Sequence, residues 1–138
     1  MDFVQQVCSH SCGHACISMV TKVPIDILLE EAPTFGVGIS EDIMLALFAK
    51  HGFICRPILY PHLVQYSGVY ICTVPSLNVM AGTHYILMCV DNTGITTLYD
   101  PNEGRVEKKS YTNHLSVPVL VMHKVENVSN ILGEYRGS

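Results

Sequence analysis

The sequence predicts an α+β domain, with N-terminal helices packed on an antiparallel sheet, formed as a single unit over residues 1–138. Three observations carry this. Helical patterning fills the first half of the chain, and β-rich runs fill the second. The turn Asp91-Asn92-Thr93-Gly94 then joins two of those runs as a hairpin. Helices followed by strands segregate into two packed layers, whereas alternating elements would build a parallel sheet. Apolar residues make up 49% and charged residues 14% of the chain, which is enough for a buried core and too apolar for disorder. No repeat, low-complexity tract or linker interrupts it.

The first helix is expected from about Ser11 to Thr21, carrying the apolar run Ala15 to Val20, and Pro24 closes it. A second, shorter helix fits Ile25 to Glu31 and stops at Pro33. Phe35-Gly36-Val37-Gly38 is a loop. Ser40 is a good N-cap, Glu41 and Asp42 suit the first turn, and Gly52 suits the position past the end. Between them Ile43, Met44, Leu47 and Phe48 share one face, so a helix is expected over Glu41 to His51. Val69 to Val74 is β-rich and ends at Pro75; Tyr85 to Val90 is an unbroken apolar run suited to a central strand. Ile95 to Tyr99 completes the hairpin. Arg105 to Lys109 has the pattern of a polar or edge strand, and Val117 to His123 that of a buried one.

Several function classes are disfavoured. The net charge is −4 and the only basic cluster is Lys108-Lys109, so nucleic acid is not an expected partner. The longest apolar runs fall far short of a membrane span, and residues 1–7 lack the features of a signal peptide. The six cysteines then fit reduced thiols, and a cytoplasmic protein is expected, or one delivered into a host cell by a route the sequence does not show. Cys72 and Cys89 sit in strand-like runs as small core residues, and Met19, Met44, Met80, Met88 and Met122 are expected in the core as well. Nothing in the sequence sets an oligomeric state, and Arg136-Gly137-Ser138 carries no functional weight.

The chemistry concentrates at Gln6-Val7-Cys8-Ser9-His10-Ser11-Cys12-Gly13-His14-Ala15-Cys16. A cysteine that opens a helix lies in the field of unpaired N–H groups and of the helix dipole, which favour thiolate over thiol. Cys12 is therefore expected to be an exposed, reactive nucleophile. His84 begins one strand of the hairpin and Asp100 follows the other, so an antiparallel pairing brings them together. Asp100 can fix the histidine tautomer and leave the second ring nitrogen for Cys12. Asn102 is the fallback for Asp100. The side-chain amide of Gln6, or of its neighbour Gln5, can donate to a developing oxyanion beside the Cys12 N–H. The alternation Cys8, His10, Cys12, His14, Cys16 has zinc-ligand types. Strict i, i+2 spacing across a helix start, however, points successive members in different directions, so no metal and no cofactor are expected.

This ordered set resembles the bacteriocin-processing cysteine peptidases, which act on double-glycine leaders. Gln6 with Cys12-Gly13 and Ala15-Cys16 is similar to that family's Gln…Asp-Cys-Gly-x-Ala-Cys element. Gly82-Thr83-His84-Tyr85 is similar to its Gly-His-aromatic element, and Asp100-Pro101-Asn102-Glu103-Gly104 to its Asp-Pro-x-x-Gly element. Gly38-Ile39-Ser40 leading into a helix that ends at Gly52-Phe53 also resembles it, so the likeness runs from about residue 5 to 122. The resemblance implies a papain-like fold and a cysteine hydrolase acting by acyl transfer on a peptide or protein substrate. Cys12 would be the nucleophile, His84 the general base and acid, Asp100 the orienter and Gln6 the oxyanion donor. Two departures stand out: Ser11 replaces the acid that usually precedes the nucleophile, and the chain carries no transporter segment, so a free-standing relative is expected. His10, His14, Gly82 and Thr83 are expected to rim the substrate cleft and to favour a small residue such as glycine at the attacked carbonyl. The related fold also carries glutamine deamidases and isopeptidases. A catalytically silent binding or inhibitor protein on the same scaffold is the alternative of another class.

Overall fold

The first helix is buried all round. In the structure, a computed structural model that describes residues 1–61 and 66–131, α1 spans Cys12–Thr21 and every residue from Cys12 to Met19 is buried. Arg136 to Ser138 lie outside the described residues. Lys22 ends α1 in the left-handed conformation, and its N–H reaches the Ser18 carbonyl. α2 (Ile25–Glu31) and α3 (Glu41–Lys50) pack around α1. The Ser40 hydroxyl caps α3 by accepting from the Ile43 N–H, and Gly52 follows the helix at φ +87°. Glu31 of α2 pairs with Lys50 and His51 at the end of α3. No single helix among the described residues is long and apolar enough to cross a membrane.

Five strands form one antiparallel sheet in the order β1-β5-β2-β3-β4. They are β1 Phe53–Pro57, β2 Gly68–Pro75, β3 Thr83–Val90, β4 Thr96–Tyr99 and β5 Val121–Asn127. One core lies between the helices and the sheet, where Cys16, Ile17, Leu28, Phe48, Ile71, Leu87 and Val125 meet. A second, built on Tyr70, Cys72, Val74, Ile86 and Met122, is covered by Tyr111, Val117 and Val119 from the segment before β5. The expected α+β arrangement of helices on an antiparallel sheet is the one observed.

Two expected strands differ. Arg105 to Lys109 is not a strand but a run of turns, with Glu107 at φ +60° and the Lys108 N–H on the Arg105 carbonyl. The strand expected from Val117 begins at Val121. Its approach is a 3-10 turn at His114–Ser116 followed by Pro118, which has no N–H to give a ladder. The first bond toward β2 is from the Leu120 N–H to the Thr73 carbonyl, 2.9 Å. β1 had no sequence signal of its own, being five residues with an arginine and a terminal proline at the sheet edge.

The hairpin is what positions chemistry. The Asp91 carboxylate accepts from the Thr93 and Ile95 N–H groups and from the Thr93 hydroxyl, which fixes the turn between β3 and β4. The register then sets Leu87 opposite Tyr99 and Val90 opposite Thr96. Continued by one step, it sets Asp100 across from Ile86, one pleat from His84 on the same face of the ladder.

Candidate active site

α1 begins at Cys12 without a side-chain cap. Ser11 occupies the N-cap position, yet its hydroxyl faces the preceding loop and accepts from the N–H groups of Val7 (3.0 Å) and Cys8 (3.1 Å). The end of the helix is thus left to the Cys12 thiol. Gly13 is closely packed: a Cβ there would lie 2.8 Å from two atoms of the Ile39 side chain, which would have to shift, and 3.2 Å from the Tyr85 ring. The Cys-Gly pair therefore reflects a close approach of the helix start to Ile39 and β3. Cys12 itself is only 8% exposed, so the residue is buried at the helix start, in contrast to the exposed position expected.

His84 stands at the start of β3, and its Nε2–H donates to Asp100 Oδ1 at 2.7 Å, both side chains being buried. The Cys12 side chain lies close enough to His84 to act, after Asp100, on its titration. Burial pulls the imidazole pKa down, but the bonds and charges of Asp100 and Cys12 outweigh it and raise the pKa to about 9. The Asp100 carboxylate accepts two further bonds, from the Asn102 N–H to Oδ1 (2.9 Å) and from the Tyr111 N–H to Oδ2 (2.7 Å). Tyr111 was not visible as a site residue from the sequence, because it reaches Asp100 only when the 105–111 segment folds back. Its hydroxyl anchors on the Pro75 carbonyl at 2.6 Å. The Asn102 side chain instead accepts from Arg105 at 3.0 Å and does not meet His84 in its place.

The N-terminal segment is latched onto the turn after β4. The Gln6 N–H donates to the Pro101 carbonyl at 3.0 Å, and Gln5 Nε2 donates to the Glu103 carbonyl at 2.9 Å. This separates the two glutamines: Gln5 is exposed and engaged by that turn, whereas the Gln6 side chain is buried. Gln6 Nε2 donates one hydrogen to the Cys8 carbonyl at 2.8 Å, and its Oε1 is buried without a partner. A primary amide carries two N–H donors, so one remains for a ligand.

Of the expected rim, His10 and Gly82 are half-buried and Thr83 is exposed. The 76–82 loop is ordered by the Ser76 hydroxyl, which accepts from the Asn78 and Val79 N–H groups. His14 does not belong to the rim. It is fully buried, its Nε2–H donates to the Ala32 carbonyl at 2.7 Å, and burial holds its pKa below the usual histidine range. It was expected on the rim, but α1 has no outer face over Cys12 to Met19. The Cys16 thiol likewise points inward, to the Tyr85 carbonyl at 3.5 Å. Among the described residues no three His, Cys, Asp or Glu side chains converge as a metal site. An open recess of about 680 Å³ lies on the sheet face away from α1, between Ile86, Met88, Leu98 and Met122, and contains neither Cys12 nor His84.

Comparison with known proteins gives a consistent picture. The model of the peptidase C39 family matches residues 1–116. The solved peptidase domain of Streptococcus ComA, a bi-functional ABC transporter involved in a quorum-sensing pathway, aligns with a TM-score of 0.60. The two are 18% identical, over 89% of this chain and 94% of that one, which bears on the fold alone. No curated protein matches the chain.

Proposed function

The chain belongs to the peptidase C39 family, which makes it a cysteine peptidase, and on that premise we propose that Cys12, His84 and Asp100 form its catalytic triad with Gln6 as oxyanion donor. The observation that carries this reading is the buried hydrogen bond of His84 to Asp100 at 2.7 Å, with Cys12 close enough to His84 to raise its pKa further. An imidazole with a pKa of about 9 is protonated at neutral pH and can stabilise the Cys12 thiolate as an ion pair. The thiolate adds to the peptide carbonyl carbon, and the oxygen takes the negative charge beside the second Gln6 N–H and the Cys12 N–H. Collapse breaks the C–N bond while the His84 imidazolium gives its proton to the leaving amine. His84, now neutral, takes a proton from water as the hydroxide oxygen attacks the thioester. The acid leaves, and the thiolate and imidazolium are restored.

The deep thiol and the tight 76–82 loop favour a slender acyl side. A Cβ on Gly82 would lie 3.2 Å from the Val79 side chain, so the backbone beside His84 runs close against its own loop. A peptide with glycine at the attacked carbonyl is therefore expected to be cut, giving two fragments by mass spectrometry. Leucine or phenylalanine there is expected to lower kcat/KM about 10–200-fold. Cys12-dependent conversion of one glutamine to glutamate, without scission, would replace the peptidase reading by deamidation. Equal rates for glycine and phenylalanine would remove the narrow-cleft argument.

Cysteine chemistry gives an independent test. Burial raises the pKa of Cys16, Cys55, Cys72 and Cys89, with Cys55 and Cys72 pushed up to about 12. Under brief, substoichiometric iodoacetamide at neutral pH, peptide mapping is expected to find Cys12 labelled well ahead of these four. Even labelling across them would contradict an activated Cys12.

A further inference from the structure

We propose that Ser11 is a positioning residue that holds the Gln6 amide in place through the Cys8 carbonyl; the inference rests on the oxyanion role given to Gln6 above. Ser11 is fully buried, immediately before the nucleophile. Its hydroxyl makes three bonds into the loop between Gln6 and Cys12. It accepts from the Val7 and Cys8 N–H groups and donates to the Cys8 carbonyl at 3.1 Å. That carbonyl is the same oxygen to which Gln6 Nε2 donates at 2.8 Å. The Ser11 N–H makes a longer bond to the same oxygen at 3.4 Å, so both donors of Ser11 converge with the Gln6 amide on the Cys8 carbonyl, the hydroxyl being the closer of the two. The amide orientation is fixed by this contact, because turning Oε1 toward the carbonyl would oppose two acceptors. One Nε2 hydrogen is thereby committed to Cys8, and the direction of the other follows from it.

The cost of the arrangement shows where Ser11 is used. A serine at the N-cap ordinarily accepts from the second or third N–H of its helix. Ser11 makes no such bond, although α1 is the central helix of the fold. Its bonding capacity goes entirely to the 7–8 backbone. An acid at this position could accept from the same two N–H groups, but as a carboxylate it could not donate to the Cys8 carbonyl. The serine therefore supplies a bond that is specific to the hydroxyl.

The test separates oxyanion support from thiol activation, since alkylation by iodoacetamide develops no oxyanion. In Ser11→Ala, cleavage of a fluorogenic Gly-Gly peptide amide is expected to lose about 10-fold or more in kcat, with KM little changed. The iodoacetamide rate at Cys12 should stay within about 2-fold of the parent, as the ion pair with His84 is untouched. Gln6→Ala is expected to lose about 10²–10³-fold, the usual effect of deleting one oxyanion donor, and adding Ser11→Ala to it should cost little more. Ser11→Thr, which keeps the hydroxyl, should recover most of the Ser11→Ala loss. Unchanged kcat in Ser11→Ala would overturn the positioning role. So would a parallel fall in alkylation, or losses that multiply in the double variant. If Ser11→Ala does not fold, a Ser11→Thr protein that folds yet falls to the level of Gln6→Ala overturns it equally. Full activity in Gln6→Ala would instead overturn the oxyanion assignment itself, leaving the triad standing.

Discussion

Cys12→Ala is expected to remove peptide cleavage, by at least about 10⁴-fold, while leaving the fold in place. The reaction as proposed has no path without the thiolate, because the acyl group must pass through a thioester. Water attacking in place of the thiolate would meet an unactivated amide rather than a thioester. The structural effect should be small. Alanine is a better helix former than cysteine, and the change removes one sulfur from a position whose neighbours are polar on the His84 side. His84 would lose one of the two partners that raise its pKa, so its titration, followed by NMR, should move down from about 9. A Cys12→Ala protein with more than a tenth of the parent activity would end the nucleophile assignment.

The part of the site that follows from local geometry was legible in the sequence. His84 and Asp100 flank a short hairpin, and an antiparallel pair with a five-residue connection leaves little freedom in which residues lie side by side. The start of α1 was legible for a similar reason, since Cys12-Gly13 and the apolar run after it specify a helix end. What escaped was non-local. The Tyr111 N–H reaches Asp100 from eleven residues away through turns that have no hydrophobic period. The latch of Gln6 onto Pro101 joins the two ends of the motif set, and no spacing announces it. His14 was expected on the rim, whereas polar residues that stay outside need a helix face open to solvent. α1 is enclosed by α2, α3 and the sheet, so it offers no such face. β1 escaped because five mixed residues carry too little alternation to distinguish an edge strand from a loop.

Ser11 belongs with the second group for a different reason. Read along the chain, a serine before a helix is a cap, and the sequence offers no sign that its hydroxyl turns away. The choice is made by the loop, where Val7 and Cys8 present two N–H groups with no strand partner. Turned to the loop, the hydroxyl oxygen takes two bonds, where the helix end would give it one. Local propensity and tertiary demand compete at this residue, and the tertiary demand prevails.

Asp100→Asn is expected to lower turnover by about 10²–10⁴-fold, the range seen when the orienting acid of a triad becomes an amide. The structure supplies the reason. Three donors converge on this carboxylate: the His84 Nε2–H and Asn102 N–H at Oδ1, and the Tyr111 N–H at Oδ2. An amide offers only one oxygen. Its NH₂ group must then face either the Tyr111 N–H or the pair at Oδ1. In the first case a buried donor loses its acceptor, at about 1–3 kcal/mol. In the second Nε2 must accept from the amide, so the imidazole is held neutral and cannot be the imidazolium that pairs with the Cys12 thiolate. The pH profile tells the electrostatic part apart from the geometric one. In the parent, the folded-state pKa of His84 lies above its unfolded value. Its contribution to stability is therefore complete below about 6.5 and is lost as pH rises through about 9. The imidazolium needed by the ion pair is lost over the same interval, so kcat/KM should fall on that limb. Removing the Asp100 charge should move the limb to lower pH. Asp100→Ala should resemble Asp100→Asn in turnover, whereas Asn102→Ala should matter far less, because the Asn102 side chain is spent on Arg105 and only its N–H serves Asp100. If Asn102→Ala abolished turnover and Asp100→Ala did not, the hydrogen bond from His84 to Asp100 would be structural, and the orienting group would have to be Asn102.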